Sequence, residues 1–269
     1  MKSHLRANLL LLAFTVAICC VLYPAILYGF GQTLFPSAAA GSPIVENGQV
    51  RGSSPIAQPF TADEYFWPRP SAAGYNGTAS GASNWGANNP KLRDRVAQFL
   101  GPIVQFKKAS RFYTGAEPTK AVQRDIAAWF AAKPGRLADW EAEFEVAAAN
   151  WKQSNTTPPS GPAIPALFFE MWLRDPANAE RVADLEPVAA DMVMASASGL
   201  DPHVSLRNAL SVYQLDRVAA KRSADATAIA ALVRRTSFTP LGGLVGEPLV
   251  SVLELNLAMD REFPLRIAR

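Results

Sequence analysis

Apolar and polar residues alternate in three different textures along this chain. The first is Leu9–Leu27, nineteen residues without a charge, placed directly behind Lys2, His4 and Arg6. At about 1.5 Å of rise per residue such a run crosses the ~30 Å hydrocarbon core of a bilayer as one helix. A short Lys/Arg-bearing tail normally stays cytoplasmic. The pattern therefore predicts a cytoplasmic tail over 1–8, a transmembrane helix over 9–30 and an extracytoplasmic remainder. A cleaved signal peptide has a shorter apolar stretch, about 7–15 residues, ending in a small-residue site. Ala38-Ala39-Ala40 could supply that site, but it lies well past the end of the run. Cys19 and Cys20 sit mid-run, and Ile18 is too bulky to precede a lipid-anchored cysteine. Pro24 is tolerable in a membrane helix, where neighbouring groups satisfy the freed carbonyl.

The second texture, 31–90, is rich in Gly, Ser, Pro, Asn and aromatic residues, and predicts extended segments joined by turns. Asn47-Gly48 suits a type I′ turn between two short strands. Two prolines keep Tyr65-Phe66-Trp67-Pro68-Arg69-Pro70-Ser71 out of a helix, with its rings in the core or against a partner.

The third texture has helical spacing. Asn89 caps and Pro90 opens a helix bearing Leu92, Val96 and Phe99. Val122, Ile126, Trp129 and Phe130 form a second stripe, stopped by Lys133-Pro134-Gly135. Trp140, Phe144 and Trp151 make a third, and Ile164, Leu167, Phe168, Met171 and Trp172 a fourth. Val188–Met194 predicts a strand or the entry to one. Asp201-Pro202 predicts the opening of a helix through Val204, Ala209, Val212, Leu215 and Val218 to Lys221-Arg222. Ser223 then caps a helix through Ile229, Leu232 and Val233. From Gly246 to Asp260 the pattern begins as a strand and ends as a helix, with the split left open.

Composition narrows the chemistry. With 26 Lys and Arg against 23 Asp and Glu the net charge is +3, too mild to point to nucleic acid. Both cysteines lie inside the apolar run, so the exported part has no disulfide and no thiol nucleophile. His203 is the one histidine outside the N-terminal tail, and a His/Cys zinc site is excluded. Asp139, Glu141, Glu143 and Glu145 spread around a helix and read as a solvated face. Ser196, Ser198, Asp201 and His203 hold every residue type of a hydrolase triad, but they are neighbours in one turn without a Gly-x-Ser-x-Gly elbow. Small residues at a helix entrance could instead present N–H groups to a phosphate or carboxylate. No Gly-x-x-x-x-Gly-Lys loop accompanies them. Residues alone thus give a single-span protein of the α+β class.

Several longer motifs carry a family resemblance. Tyr65-Phe66-Trp67-Pro68-Arg69-Pro70-Ser71-Ala72-Ala73, Tyr75-Asn76, Ala79–Asn84, Ser196-Ala197-Ser198-Gly199-Leu200-Asp201-Pro202-His203-Val204-Ser205, Gln214 with Arg217-Val218-Ala219, and Gly246-Glu247-Pro248 leading to Leu255-Asn256-Leu257-Ala258 appear in order. Together they resemble the KdpC family, the C subunit of bacterial potassium-importing Kdp P-type ATPases. The resemblance covers about residues 5–100 and 186–262.

It implies a non-catalytic subunit with no firmly bound cofactor and no metal. One inner-membrane helix would precede a mixed α/β periplasmic domain over 31–100 and 186–269, interrupted by a helical, Trp-rich insertion over 101–185. Implied partners are a channel-like potassium-binding subunit, a P-type ATPase subunit and a small single-span subunit. The family is also described as a catalytic chaperone that raises the ATP affinity of the ATPase subunit through a transient complex. Gln214 matches the position proposed to touch nucleotide, and Arg217, Ser198 and Gly199 fall in the associated motifs. The charge pattern at the anchor, however, puts Gln214 across the membrane from ATP. The expectation is therefore a domain capping the channel-like subunit's outer mouth, with any effect on ATP indirect. Two other functions remain open at this point: an anchored periplasmic solute-binding or assembly protein, and an anchored hydrolase using Ser198 and His203.

Overall fold

The apolar run is helical over more residues than its hydropathy implies. In this computed structural model, which describes residues 2–114 and 117–265, α1 (Lys2–Val16), a π-helical turn (Ala17–Leu22) and α2 (Tyr23–Leu34) follow one another directly. His4–Leu34 is long and apolar enough to cross a membrane. The π turn has a local cause. Pro24 has no N–H and its ring would press on the Cys20 carbonyl in a regular α-helix; one residue earlier the Tyr23 N–H reaches back five residues to Ile18. The expected extended backbone from Gly31 gives way to helix as far as Leu34, since the helix continues through Gly29 and Gly31 and ends only before Pro36, which opens the short α3 (Pro36–Ala39).

The chain divides into two units, Met1–Ile56 and Ala57–Arg269. In the first, β1 (Pro43–Glu46) and β2 (Gln49–Ser53) pair antiparallel with an irregularity between Ile44 and Val45. Asn47 and Gly48 both adopt positive φ, 52° and 76°, as the expected type I′ turn requires.

The second unit contains α4 (Pro90–Ile103), α5 (Pro118–Ala131), α6 (Arg136–Glu143), α7 (Glu145–Ser154), α8 (Ala163–Arg174) and α9 (Ala179–Ala183). It continues through β3 (His203–Ser205), α10 (Leu206–Ala209), α11 (Val212–Arg222), α12 (Ala226–Thr236), β4 (Leu249–Ser251) and α13 (Val252–Glu262). Together with the hairpin, the two-stranded sheet β3–β4 makes this a mixed helix and sheet protein. Its apolar side chains form two separate clusters. One gathers Phe66, Val204, Val218, Ile229, Val250, Leu255 and Met259. The other gathers Phe106, Val122, Ile126, Trp140, Phe168 and Trp172. The Asn89 side chain caps α4 through the Lys91 N–H as expected. The seam expected at 100/101 falls inside α4, which packs on α8 so closely that a Cβ on Gly101 would lie 2.0 Å from the Pro165 carbonyl oxygen.

Four local expectations are corrected. His203–Ser205 is a strand, not the start of a helix, because β-branched, buried Val204 pairs with Val250 of β4. Helix begins only after Ser205 and Ser211, whose hydroxyls cap α10 and α11. Val188–Met194 forms no strand: a single 3-10 turn (Ala190–Met192) presents the Asp191 carboxylate to the Ser205 N–H at 2.7 Å. Ser223 does not cap α12 but ends α11 in the left-handed region, and Asp225 caps instead. The Trp140–Trp151 stripe is broken at Phe144, where the backbone leaves the helical region.

Candidate functional site

The segment Tyr65–Ser71 needs external support, since Pro68 and Pro70 deny it an inner place in any sheet. Helices α11 and α13 supply that support with side-chain amides. The Phe66 N–H donates to Asn256 Oδ1 at 2.8 Å and the Phe66 carbonyl accepts from Asn256 Nδ2 at 3.0 Å. One residue on, the Trp67 N–H donates to Gln214 Oε1 at 3.1 Å and its carbonyl accepts from Gln214 Nε2 at 3.0 Å. Each amide thus stands in for a neighbouring strand. Phe66 is thereby seated in the core while Trp67 remains partly exposed.

Gln214 is 2% exposed and has little left to offer a ligand. Its second N–H donates to Asn208 Oδ1 at 3.1 Å, and its oxygen also accepts from Arg217 Nη2 at 2.5 Å. An amide side chain has two donors and two acceptor lone pairs, and all four are engaged within the domain. Arg217 also donates to the Asp63 carbonyl at 2.5 Å, and its Cζ lies over the Trp67 ring, 4.1 Å from the centroid. Burial pulls the Arg217 guanidinium down, against the pull of Tyr213, Asp63 and Glu64. Burial likewise pushes the Tyr213 phenol up to about 12.

Sequence reasoning missed two members of this arrangement. Asn256 stood inside a quoted motif without a role. Arg222 read only as a basic helix end, yet its side chain is wholly buried. It donates to the carbonyls of Glu64 (2.8 Å), Met259 (3.2 Å) and Phe263 (2.9 Å) and to the Asp260 carboxylate (2.8 Å). The chain after Ser223 brings α13 back beside the end of α11, and no local pattern signals that.

Ser198 and Gly199 belong to a second, adjoining cluster. Gly199 has φ 69°, and a Cβ there would lie 2.6 Å from the Gly81 carbonyl oxygen and 2.8 Å from Ala73 Cβ. Ser71 Oγ donates to the Gly199 carbonyl at 2.5 Å, and the Gly81 N–H to the Ser198 carbonyl at 2.8 Å. Three of the turn's N–H groups bond inside it, Gly199 to the Ser196 carbonyl, Leu200 to Ser198 Oγ, and His203 to Asp201 Oδ1, while the Ser196 N–H donates to the Pro70 carbonyl at 3.2 Å. Since β3 follows, no helix N-terminus adds to the turn. Asp201 pairs with Arg69 at 3.2 Å and with His203 Nδ1 at 3.3 Å. Burial tends to raise its pKa, but the His203 hydrogen bonds and Arg69 outweigh that and hold the carboxyl below its usual range. Among the described residues Ser198 and His203 share no hydrogen bond, so the triad types do not assemble into a relay. The four acidic residues from Asp139 to Glu145 do not converge either: Asp139, Glu141 and Glu143 pair with Lys133, Lys152 and Arg174.

Beside the clamp, Phe60, Trp67, Tyr75, Phe99, Ile103 and Tyr213 line an open, mostly apolar pocket of about 250 Å³. It can hold a flat or apolar group. It presents no nucleophile and base pair.

The order of these motifs matches one family. The sequence model described as KdpC, the K+-transporting ATPase c chain, matches residues 5–125 and 127–261. The chain belongs to the KdpC family. Relatives named potassium-transporting ATPase KdpC subunit include those of Janthinobacterium sp. (strain Marseille), 33% identical over 97% of this chain and 100% of the relative, and of Methylibium petroleiphilum, 34% identical over 98% and 100%. That of Polaromonas naphthalenivorans is 35% identical over 98% of both chains. The KdpC match takes in the helical region as well as the motif blocks.

Proposed function

We propose that this KdpC chain is a non-catalytic subunit of ATP-driven potassium import. Its N-terminal tail would be cytoplasmic, its helix would cross the inner membrane once, and residues 31–100 and 186–269 would form a periplasmic domain with a helical insertion over 101–185. It would assemble with a channel-like potassium-binding subunit, a P-type ATPase subunit and a small single-span subunit. The domain would stabilise that assembly at the outer mouth of the channel-like subunit, and any gain in ATP affinity of the ATPase subunit would be transmitted through assembly.

One observation carries the indirect reading: Gln214 is buried, with both amide atoms bound to Trp67, Asn208 and Arg217. Contact with nucleotide would require breaking that clamp and leaving the Trp67 peptide groups unpaired, a cost of about 1–3 kcal/mol per buried group. The Kdp reading predicts co-purification with the three partners and loss of growth at limiting potassium when the chain is deleted. The side of the membrane is tested at exposed Ala220 on α11, since a cysteine at buried Gln214 would escape reagent on either side. In a background with Cys19 and Cys20 replaced by alanine, Ala220→Cys should react with a membrane-impermeant thiol reagent in intact spheroplasts. Reaction only after permeabilisation would reverse the orientation.

A second reading, an anchored periplasmic solute-binding or assembly protein, draws on the aromatic pocket beside Trp67. It predicts a chain that purifies alone with a ligand in that pocket.

A further inference from the structure

The dipeptide Asn-Gly occurs twice in the chain, at Asn47-Gly48 and Asn76-Gly77. The pair is chemically labile, because glycine has no Cβ to keep the asparagine side chain off the peptide nitrogen that follows it. The fold holds the two copies differently. Asn47-Gly48 is the tip of the β1–β2 hairpin, with both residues at positive φ and Glu46 paired to Gln49 behind them.

Asn76 lies in an exposed loop, and its side chain is folded forward. Its Oδ1 accepts from the Thr78 N–H at 3.0 Å and from the Thr78 hydroxyl at 2.8 Å. This is an Asx turn, in which the carboxamide takes the place of a preceding peptide and folds over the next residue's nitrogen. The segment behind it is fixed. Tyr75 takes φ 58°, its N–H donates to Ser71 Oγ at 2.9 Å and its hydroxyl to the Arg69 carbonyl at 2.8 Å. The Asn76 N–H donates to the Ala73 carbonyl at 3.2 Å, and the Asn76 carbonyl accepts from the Ala79 N–H at 2.9 Å. Gly77 is exposed, and a Cβ built on it would meet nothing within 4 Å, so water reaches this peptide.

We propose that the fold selects Asn76-Gly77 as a site of spontaneous modification, at which the carboxamide closes on the Gly77 nitrogen and reopens as aspartate or isoaspartate. The Gly77 nitrogen gives its proton to hydroxide and adds to Asn76 Cγ. The Cγ–Nδ2 bond breaks, ammonia leaves, and a cyclic succinimide remains. Water then cleaves the bond from the Gly77 nitrogen to Cγ, giving aspartate, or the bond to the main-chain carbonyl carbon, giving isoaspartate. One water is consumed and one ammonia released, and nothing is oxidised or reduced. As the nitrogen adds, negative charge gathers on Oδ1, where the two Thr78 donors already stand. The Asx turn supplies the proximity. At Asn47 the same closure must rotate a peptide that the type I′ turn and the flanking ladder pin. In the isoaspartate product the main chain runs through Cβ and Cγ, and the carbonyl that held the Ala79 N–H becomes a free carboxylate. Close by, the Gly81 N–H donates to the Ser198 carbonyl, so the product loosens this loop's grip on the 196–201 turn.

The test is incubation of the purified full-length chain in mildly alkaline buffer, followed by peptide mapping at both dipeptides. The peptide containing Asn76 is expected to gain the mass of an amide-to-acid conversion and to accept isoaspartyl methylation, well ahead of the peptide containing Asn47. No conversion at Asn76, equal rates at the two sites, or faster conversion at Asn47 would overturn the proposal. Thr78→Val removes the hydroxyl donor and keeps the N–H, and should slow the reaction about fivefold, the share of one exposed hydrogen bond. Gly77→Ala meets no neighbour, should leave the circular dichroism of the chain unchanged, and should stop the conversion over the same interval. An undiminished rate in either variant would also overturn it.

Discussion

The two apolar cores of the Ala57–Arg269 unit hold their surroundings by different physics. In the helical core, Phe130, Trp140 and Phe168 lie with ring centroids 4.3–5.2 Å apart, and burial of ring surface does the holding. In the motif core, Asn256, Gln214 and Arg222 grip backbone groups of Glu64, Phe66 and Trp67. Apolar burial is non-directional and roughly proportional to area, so it tolerates side chains of similar shape. A hydrogen-bonded clamp fixes one peptide at one place. A proline-rich segment that can join neither helix nor inner strand gets its position only that way, which gives a physical reason for the buried amides and arginine around Tyr65–Ser71 in this chain.

Removing one member from each core puts the contrast to its hardest test. Arg222→Met leaves three carbonyls and the Asp260 carboxylate without their buried cation, and should cost about 3–5 kcal/mol. Trp172 is just as buried, but its indole N–H has no hydrogen-bond partner among the described residues. Trp172→Phe keeps an aromatic ring and deletes that orphan donor, so its net effect should stay within about 1–2 kcal/mol. Thermal unfolding of the purified full-length chain, followed by near-ultraviolet circular dichroism, compares them. Equal losses would erase the distinction between clamp and packing.

Glycines give the next largest effect and separate the cores by location. Gly101→Ala forces α4 off α8, and Gly199→Ala forces the 196–201 turn off the Ala73 and Gly81 loops while imposing a left-handed φ on a side chain. Each should cost about 1–3 kcal/mol, and limited proteolysis should read them differently. Gly199→Ala should open cleavage within 71–83, and Gly101→Ala should leave those loops protected. Identical cleavage maps would mean that the two cores yield as one.

Much of the helical core was legible in the sequence, because its stripes at Val122–Phe130 and Ile164–Trp172 obey helical periodicity and end at Pro, Gly or Asp. The hairpin was legible through Asn47-Gly48. What escaped were features set by distant partners. Asp201-Pro202 looks like a helix start, but Val252 donates its N–H to the Pro202 carbonyl at 3.0 Å and Val204 pairs across to Val250. Residues fifty positions away thus convert a local helix signal into a strand. Gln214 was singled out through resemblance; its clamp on Trp67 spans 147 positions, and Arg222 and Asn256 acquire their roles over comparable separations. Local patterns carry periodicity, and these contacts have none.

The smallest expected effect is electrostatic and differs in sign between the cores. Glu170 on α8, near Asp94 of α4, has its carboxyl pushed up: burial raises it more than Arg93 and Arg174 lower it. Asp201 in the motif core is held down. A carboxylate with a raised folded-state pKa penalises folding when ionised, and the penalty fades as pH falls through that pKa. One with a depressed pKa stabilises folding above the unfolded value, about 3.9 for Asp, and loses that contribution only as pH falls toward the folded value. Glu170→Gln should therefore raise the melting temperature at about pH 7, with the gain shrinking toward about pH 4.5. Asp201→Asn should lower it at about pH 7, and the loss should persist toward about pH 4.5, where the carboxylate beside His203 and Arg69 stays ionised, and diminish only in stronger acid. Asp175, also held down, by the Trp129 indole and the Ala177 N–H, is unchanged in both variants and cancels from the comparison with the parent chain. If the two variants moved in parallel with pH, the charges of the two cores would be coupled through the unit, and the distinction between them would hold for packing alone.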